Sequence, residues 1–412
     1  MPCLDEAKSL PACIANARAA LDRMYAELGL SGEIIIADNG STDGSQLIAR
    51  AHGARVVEVE RRGYGAALIG GMQAANGTYL VMGDADGSYD FLESQAMVHS
   101  LMQGADLCVG SRFRGVIEPG AMPWKNRYIG NPALTFILNL FFSARVGDAH
   151  CGLRALTKAC FERLALGGTG MEFASEMVIK AALKRQKIVE TPVTLRRDLR
   201  ERPPHLRPWR DGWRHLRYLL MLSPTWAFVV PAVIGAALSS VILGVATSSA
   251  LFGAPLASPF GNYWLILAGA VLGLSHIEIL LATASHLYGR RQGYRRPSIW
   301  EERLSNWATL EAMLISGALA IVAGLATLLG VLGYWSGHHF AAINTVLPAV
   351  LGTTLIVVGA QNALGGFLLA IINGNEAKFL AAADDAIAGY ADTPGADAAA
   401  TKDEKKRLVA AR

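Results

Sequence analysis

Two carboxylates two positions apart, Asp84 and Asp86, follow the apolar run 79–82 after a single glycine. Carboxylates so placed repel one another unless something positive sits between them. A Mg2+ or Mn2+ ion would answer that, and would also hold the two phosphates of a nucleotide sugar. Short acidic triplets also occur in solvated turns, so the placement at the end of an apolar run is what gives this one meaning. Arg62-Gly63-Tyr64-Gly65-Ala66-Ala67 opens a helical pattern. Gly63 and Gly65 would let main chain approach a phosphate or ribose, although a helix-initiating turn explains them equally well. Arg210, Arg214 and Arg217 share one face at helical spacing. Their guanidinium forks suit a lipid phosphate. They also suit anchoring to anionic lipid at about 1 kcal/mol per basic residue, and the two roles are compatible. His150, Glu172 and Glu176 are candidates for sugar contacts or a secondary base. Glu172 also suits a helix start through the dipole alone.

The pattern that must carry these groups is strand, turn, helix, repeated. Strands are expected at 33–37, 55–59, 79–82 and 106–110, and helices at 45–52, 66–75 and 92–103. Such alternation predicts a mostly parallel sheet with helices on both faces. Ligands then bind at the carboxyl ends of the strands. The polar turns 38–44, 84–90 and 110–112 fall there.

The second half of the chain differs in kind. Hydrophobic residues make up 52% of the 412 and charged residues 17%, a low charge fraction for a soluble protein. Runs at about 226–247, 263–284, 312–335 and 345–373 are each long enough to cross a bilayer. The expected organisation is a catalytic domain over 1–200, a basic amphipathic juxtamembrane helix over 201–224, a four-helix membrane domain over 225–373, and a flexible tail over 374–412. The linkers 249–262 and 336–344 lack Lys and Arg. The linker between the second and third runs carries Arg290, Arg291, Arg295, Arg296 and Arg303, and Arg196, Arg197, Arg200, Arg202, Arg207, Arg210, Arg214 and Arg217 precede the first. Positive charge stays inside, so both termini and the first half are expected in the cytoplasm, on the cell (inner) membrane. Trp226, Trp264 and Trp335 suit interfacial anchors, and Gly269 with Gly273, and Ala320 with Gly324, suit close helix contact. His276 and Glu278 lie inside the second run, as functional groups or as an interior structural pair. The stretch 128–142, too short to span, reads as an interfacial helix, with a buried core helix as its rival. The five scattered cysteines include no CxxC pair, so no zinc site is expected. No signal peptide is expected at the start.

Taken in order, Pro2-Cys-Leu-Asp-Glu6, Asp38-Asn-Gly-Ser-Thr-Asp-Gly44, Gly63-Tyr-Gly-Ala-Ala67, Asp84-Ala-Asp86, Gly110-Ser-Arg112 and Asp148-Ala-His-Cys-Gly-Leu-Arg154 resemble the family 2 glycosyltransferases with the GT-A fold. Within them the set is similar to the dolichyl-phosphate mannosyltransferase and bacterial polyprenyl-phosphate glycosyltransferase branch. The resemblance implies an α/β GT-A domain followed by an all-α membrane domain of four helices. It implies that Pro2, Glu6 and Asp38 line the nucleoside pocket, with Gly63, Gly65, Asp84 and Ala85 also on the donor. Asp84, Asp86 and Ser88 would serve the metal, and Arg112 and Arg127 the phosphates of donor or acceptor. The segment from Asp148 to Arg154 would close the acceptor side, so that Asp86, Arg112, Arg127, Asp148 and Arg154 form the catalytic set.

The expected donor is a UDP- or GDP-linked sugar and the acceptor an undecaprenyl or dolichyl phosphate, with inversion at the anomeric carbon. Membrane lipids are further partners, nucleic acid is not, and homo-oligomerisation is left open. Such an acceptor oxygen is already anionic, so no strong general base is needed.

Three departures stand out. The family carries an apolar strand ahead of the Pro2 motif, and here the true start is expected upstream, since losing a core strand should exceed a marginal stability of about 5–15 kcal/mol. Ser88 stands where the family often has Gln, with Asp90 as a nearby substitute. The Q-x-x-R-W motif of processive synthases is absent, which favours transfer of one sugar. The rival readings are a nucleotide-binding transporter or flippase-associated protein, resting on His276 and Glu278, and a processive glycan synthase.

Overall fold

The computed structural model describes residues 1–199, 208–252, 260–291, 309–341 and 345–373. Contacts divide the chain into two compact units, 1–299 and 300–412. The first holds the α/β domain, an amphipathic helix and two membrane-length helices; the second holds two more.

Strands β1 (Pro2–Cys3), β2 (Ile35–Asp38) and β3 (Arg55–Glu58) form a parallel sheet in that order. Four further strands are β4 (Tyr79–Met82), β5 (Leu107–Ile117), β6 (Arg154–Thr157) and β7 (Ile188–Leu195). They pair in the order β4-β6-β5-β7, with β5 and β7 parallel and β6 antiparallel to both its neighbours. Leu107, Cys108 and Val109 are fully buried, the continuous apolar pattern of a strand covered on both faces. An apolar groove of about 270 Å³, lined among others by Ile35, Ala37, Leu68, Leu80 and Phe91, runs between the two sheets.

The helices of this domain are α1 (Leu10–Leu28), α2 (Ser45–Ala51), α3 (Tyr64–Ala74), α4 (Ser94–Met102), α5 (Asn131–Phe142), α6 (Lys158–Leu164) and α7 (Phe173–Leu183). In α1 the buried residues Leu10, Ile14, Ala17 and Met24 recur at helical spacing, and Gly29 ends it at φ 68°. The helix expected at 92–103 starts as a 3-10 turn, Phe91–Glu93, because the Asp90 carboxylate accepts the Leu92 N–H. Asp90 also holds Asn16 and Arg196, which commits it to this cap rather than to the place of Ser88.

Helix α8 (Pro208–Leu222) is the described part of the juxtamembrane segment. A π turn, Thr225–Val229, leads into α9 (Val230–Phe252), and α10 (Asn262–Arg291) follows. Gly235 of α9 lies against Ser275 and Val271 of α10. Gly269 and Gly273 are buried on α10, and His276 and Glu278 are half-buried there. Arg200, Arg202, Arg207, Arg295, Arg296, Arg303 and the tail 374–412 lie outside the described residues.

In the second unit α11 (Leu310–Gly337) and α12 (Leu347–Asn373) pack along small residues. A Cβ on Gly324 would lie 2.6 Å from the Gly352 carbonyl oxygen, and one on Gly359 would lie 2.6 Å from that of Gly317. The Asn362 amide donates to Ser316 Oγ at 2.8 Å and to the Met313 carbonyl at 3.2 Å. Close backbone approach and an interhelical hydrogen bond replace hydrophobic driving force in lipid. Gly324→Leu and Gly359→Leu should each push the pair apart at a cost of about 1–3 kcal/mol. A melting temperature in detergent equal to that of the unmodified protein would contradict this packing.

Candidate active site

The residues expected on the nucleoside meet where β1 and β2 end together, with Cys3 in register with Asp38. Asp38, only 2% exposed, accepts the Gly40 and Ser41 N–H groups and the Gln46 amide, and so shapes its own turn. That turn is stitched to the segment after Pro2. The Asp5 N–H donates to Ser41 Oγ, the Glu6 N–H to Ser45 Oγ and the Ala7 N–H to Asp43 Oδ2, all at 2.9–3.0 Å. Ser9 Oγ then bridges buried Glu6 (3.3 Å to Oε2) to the Ala85 carbonyl (2.6 Å). Three motifs distant in sequence thus meet at one place. Asn39, to which the sequence reading gave no role, clamps the β3–α3 loop by donating to the Val59 and Arg61 carbonyls and accepting the Gly63 N–H at 2.7 Å. Its signal was only its place in the turn motif.

Asp84 and Asp86 stand just beyond β4. Asp84 Oδ1 accepts the Tyr64 hydroxyl at 2.9 Å, and burial followed by the Asp84 charge pushes that hydroxyl well above its ordinary pKa, so it remains a donor. Asp84 Oδ2 lies close against Gly152. Asp86, 7% exposed, accepts both the N–H (3.0 Å) and the hydroxyl (2.6 Å) of Ser88. Ser88 therefore steadies a carboxylate. Residues 196–199 return over this turn: the Arg196 N–H donates to the Ser88 carbonyl and the Leu199 N–H to the Asp86 carbonyl. Leu199 packs on Gly87, whose φ of 80° suits glycine. Among the described residues no three His, Cys, Asp or Glu side chains gather as a metal cage. The chemistry of a carboxylate pair still fits Mg2+ or Mn2+, since Mg2+ commonly takes one or two carboxylates and completes its shell with water and substrate phosphates.

Arg112, at the end of the buried part of β5, meets Asp148 in a bidentate pair: Nε–Oδ2 2.7 Å and Nη2–Oδ1 2.8 Å. Asp148 is fully buried and Arg112 nearly so. Glu190 on β7 holds the approach to Asp148 through the Gly147 and Asp148 N–H groups. Arg154, expected in the catalytic set, is 0% exposed and donates to the Cys151, Ala149 and Ala174 carbonyls at 2.7–2.9 Å. Its guanidinium folds the 149–154 turn onto α7, a scaffold position that faces no solvent. Gly63 and Gly65 also have a packing reason: a Cβ on either would strike the Thr169 or Gly168 carbonyl at 2.2 Å. Arg127 is half-buried on the π turn Asn126–Gly130, and the contact described for it is with the Tyr128 ring, 5.5 Å away.

On the other side of that glycine loop a cavity of about 410 Å³ is lined by Gly167–Gly170, Glu172, Glu176, Tyr218 and, from α8, Arg214 and Arg217. Glu176 is committed to the Gly167 and Gly168 N–H groups and to Lys180. Glu172 accepts the Gly170 N–H through one oxygen, and the other is buried without a hydrogen-bond partner. Arg210 is exposed and does not line this cavity. Helix α5 buries Thr135, Leu138 and Phe142 yet exposes Phe136 and Leu140, continuing the exposed Trp124, Tyr128 and Ile129. Phe141 stacks on Trp226 at 5.3 Å, beside the first membrane-length helix. One face of α5 is thus core, and the other is apolar and open.

The glycosyl transferase family 2 profile matches residues 1–165, and that of the glycosyltransferase family 2 C-terminal transmembrane region matches 283–373. The chain is 36% identical to the low-salt glycan biosynthesis hexosyltransferase Agl6 of Haloferax volcanii, over 90% of this chain and 87% of that one. It is 30% identical to the dolichyl-phosphate hexose transferase of the same organism, over 40% of this chain and 70% of that one. It is 26% identical to the dolichol-phosphate mannosyltransferase of Pyrococcus furiosus, over 43% and 53% of the two chains.

His150 supplies a pH prediction. Burial first, then the nearby His215, Arg112 and Arg154, holds its pKa well below the ordinary 6.5. The unfolded chain therefore takes up a proton that the folded one refuses, and stability falls as pH drops below about 6.5, at roughly 1.4 kcal/mol per pH unit. The melting temperature of His150→Asn should fall less steeply between about pH 6.5 and 5.5. Identical slopes would show that His150 is not the group responsible.

Proposed function

Because the chain belongs to glycosyltransferase family 2, we propose that it transfers a single sugar from a UDP- or GDP-linked donor to a polyprenyl phosphate at the cytoplasmic membrane face. The observation that carries this reading is the meeting of the Glu6, Asp38 and Asp84–Asp86 motifs at the strand ends, in a unit that also holds two membrane-length helices and whose α8 sets Arg214 and Arg217 on a cavity. The names of the relatives, two of them dolichyl- or dolichol-phosphate transferases, support the same acceptor class. Arg290 and Arg291 at the end of α10 support the cytoplasmic assignment by the positive-inside rule.

In this mechanism Glu6 and the Asp38 turn hold the nucleoside, and Asp84 and Asp86 would hold a divalent cation. That ion, when bound, neutralises the departing diphosphate. Asp148 presents Arg112 in one orientation toward the same negative charge. Arg214 and Arg217 seat the acceptor phosphate. One of its oxygens attacks the anomeric carbon in line, the bond to the diphosphate oxygen breaks, and the configuration inverts. The attacking oxygen carries no proton to remove, so positioning and charge neutralisation supply the catalysis. The open apolar face of α5 rests at the bilayer surface and brings the lipid within reach.

Purified protein, a panel of labelled UDP- and GDP-sugars and farnesyl phosphate test this directly. Asp86→Ala should reduce transfer by roughly 10²–10³-fold, and retained activity would refute the metal assignment. Joint replacement of Arg214 and Arg217 by Ala should weaken farnesyl phosphate use by about 10–100-fold, the worth of charged hydrogen bonds. Donor affinity should be unchanged. An equal loss on both substrates would refute the acceptor role.

A further inference from the structure

A buried chain of polar side chains lies beneath α8 and has no part in the mechanism above. His215, 6% exposed, points from α8 into the domain, and its Nδ1 lies 2.8 Å from Ser175 Oγ on α7. Ser175 is fully buried, and its hydroxyl is 3.4 Å from His150 Nε2. The two imidazoles meet edge to face at 4.9 Å. His150 Nδ1 is buried without a partner. An orphaned buried acceptor is tolerated better than an orphaned donor, which places the His150 proton on Nε2. The proton order is then His150 Nε2–H to Ser175 Oγ, and Ser175 O–H to His215 Nδ1, so the single hydroxyl uses both its roles.

Each end of this chain touches something the reaction needs. The main-chain N–H of His150, not its ring, donates to Asp148 Oδ1 at 3.3 Å, the same oxygen that holds Arg112 Nη2. His215 directly follows Arg214 and precedes Arg217 by two residues, and both arginines line the cavity beside Glu172. The nearby buried contact of α8 is apolar, Leu219 at 1% exposure. An apolar helix face tolerates rotation and sliding, whereas one buried polar contact specifies a register.

We propose that Ser175 and His215 are positioning residues for the acceptor: with His150 they fix the register of α8 on the catalytic domain and so set Arg214 and Arg217 over the cavity. The phosphate role of those arginines is the reading given under Proposed function, and this proposal rests on it.

The full chain in nanodiscs provides the test, with farnesyl phosphate, UDP and GDP as binding probes and hydrogen exchange of the α8 amides as a readout independent of ligand. Ser175→Ala and His215→Leu should each speed exchange across α8 and weaken farnesyl phosphate about three- to tenfold. The Kd of the nucleotide should not move. His215→Gln, which keeps a hydrogen-bonding group in apolar surroundings, should recover much of both. Unchanged exchange and unchanged farnesyl phosphate affinity in Ser175→Ala and His215→Leu would overturn the proposal. So would loosened exchange without loss of affinity while the Arg214/Arg217 double variant still binds farnesyl phosphate poorly. If the arginine double variant itself binds normally, the acceptor reading falls, and faster exchange alone would leave the joint standing as a register device.

Discussion

Arg112 and Asp148 face each other as a bidentate pair almost wholly removed from water, and the chain from Asp148 to Arg154 hangs from it. Taking both charges out of solvent is costly, and losing one partner would strand the other at about 3–5 kcal/mol. The pair therefore tolerates little movement between β5 and the segment that enters β6. From that segment His150 reaches toward α7 and α8, Gly152 packs against Asp84, and Arg154 ties the turn to the start of α7. The Asp84 turn, α7, α8 and the sheet are thus referred to one ion pair.

A second constraint is strand topology. Asp38 ends β2 of the parallel sheet, Asp84 and Asp86 follow β4, and Arg112 lies within β5, which runs parallel to β4 across β6 in the second sheet. The turns then hold each other through short hydrogen bonds, with Ser9 and Asn39 as the bridges. The candidate site side chains spend much of their capacity on the scaffold: Asp38 builds its own turn, and Asp86 is braced by Ser88. Such bracing restricts rotamers before a ligand arrives, which lowers the ordering cost of binding.

Besides the long apolar helices there are two amphipathic ones. Helix α5 keeps one face in the core and leaves Phe136 and Leu140 open, while Phe141 stacks on Trp226 at the foot of the first long helix. Helix α8 buries His215 and Leu219 and carries its arginines on the flanks. Under the proposed function, such a site would meet a lipid-borne phosphate as a neighbour, and little of the binding free energy would be spent on bringing the two together.

The chain's own pattern determined the fold class, the early strands to within two or three residues at most of their edges, the four membrane-length helices and the family motifs in order. These are local or strictly periodic signals, and period and apolar length survive any tertiary arrangement. It did not disclose β1, β6 and β7, whose pairing is non-local, nor that β5 runs on to Ile117 through the expected 110–112 turn, nor that β6 runs antiparallel. Spacing suggested that Gly63 and Gly65 admit phosphate, yet only the folded chain reveals the 167–170 main chain pressed against them. Arg154 looked catalytic in its motif, and tertiary burial alone turned it to three carbonyls. Ser175 and His215 carried no signal and Asn39 only its place in a turn motif, because a hydrogen bond between residues 20 to 40 positions apart leaves no periodic trace. Residue type and local spacing set which groups are available for chemistry; which of them meet is decided by how buried polar atoms find partners once water has been excluded.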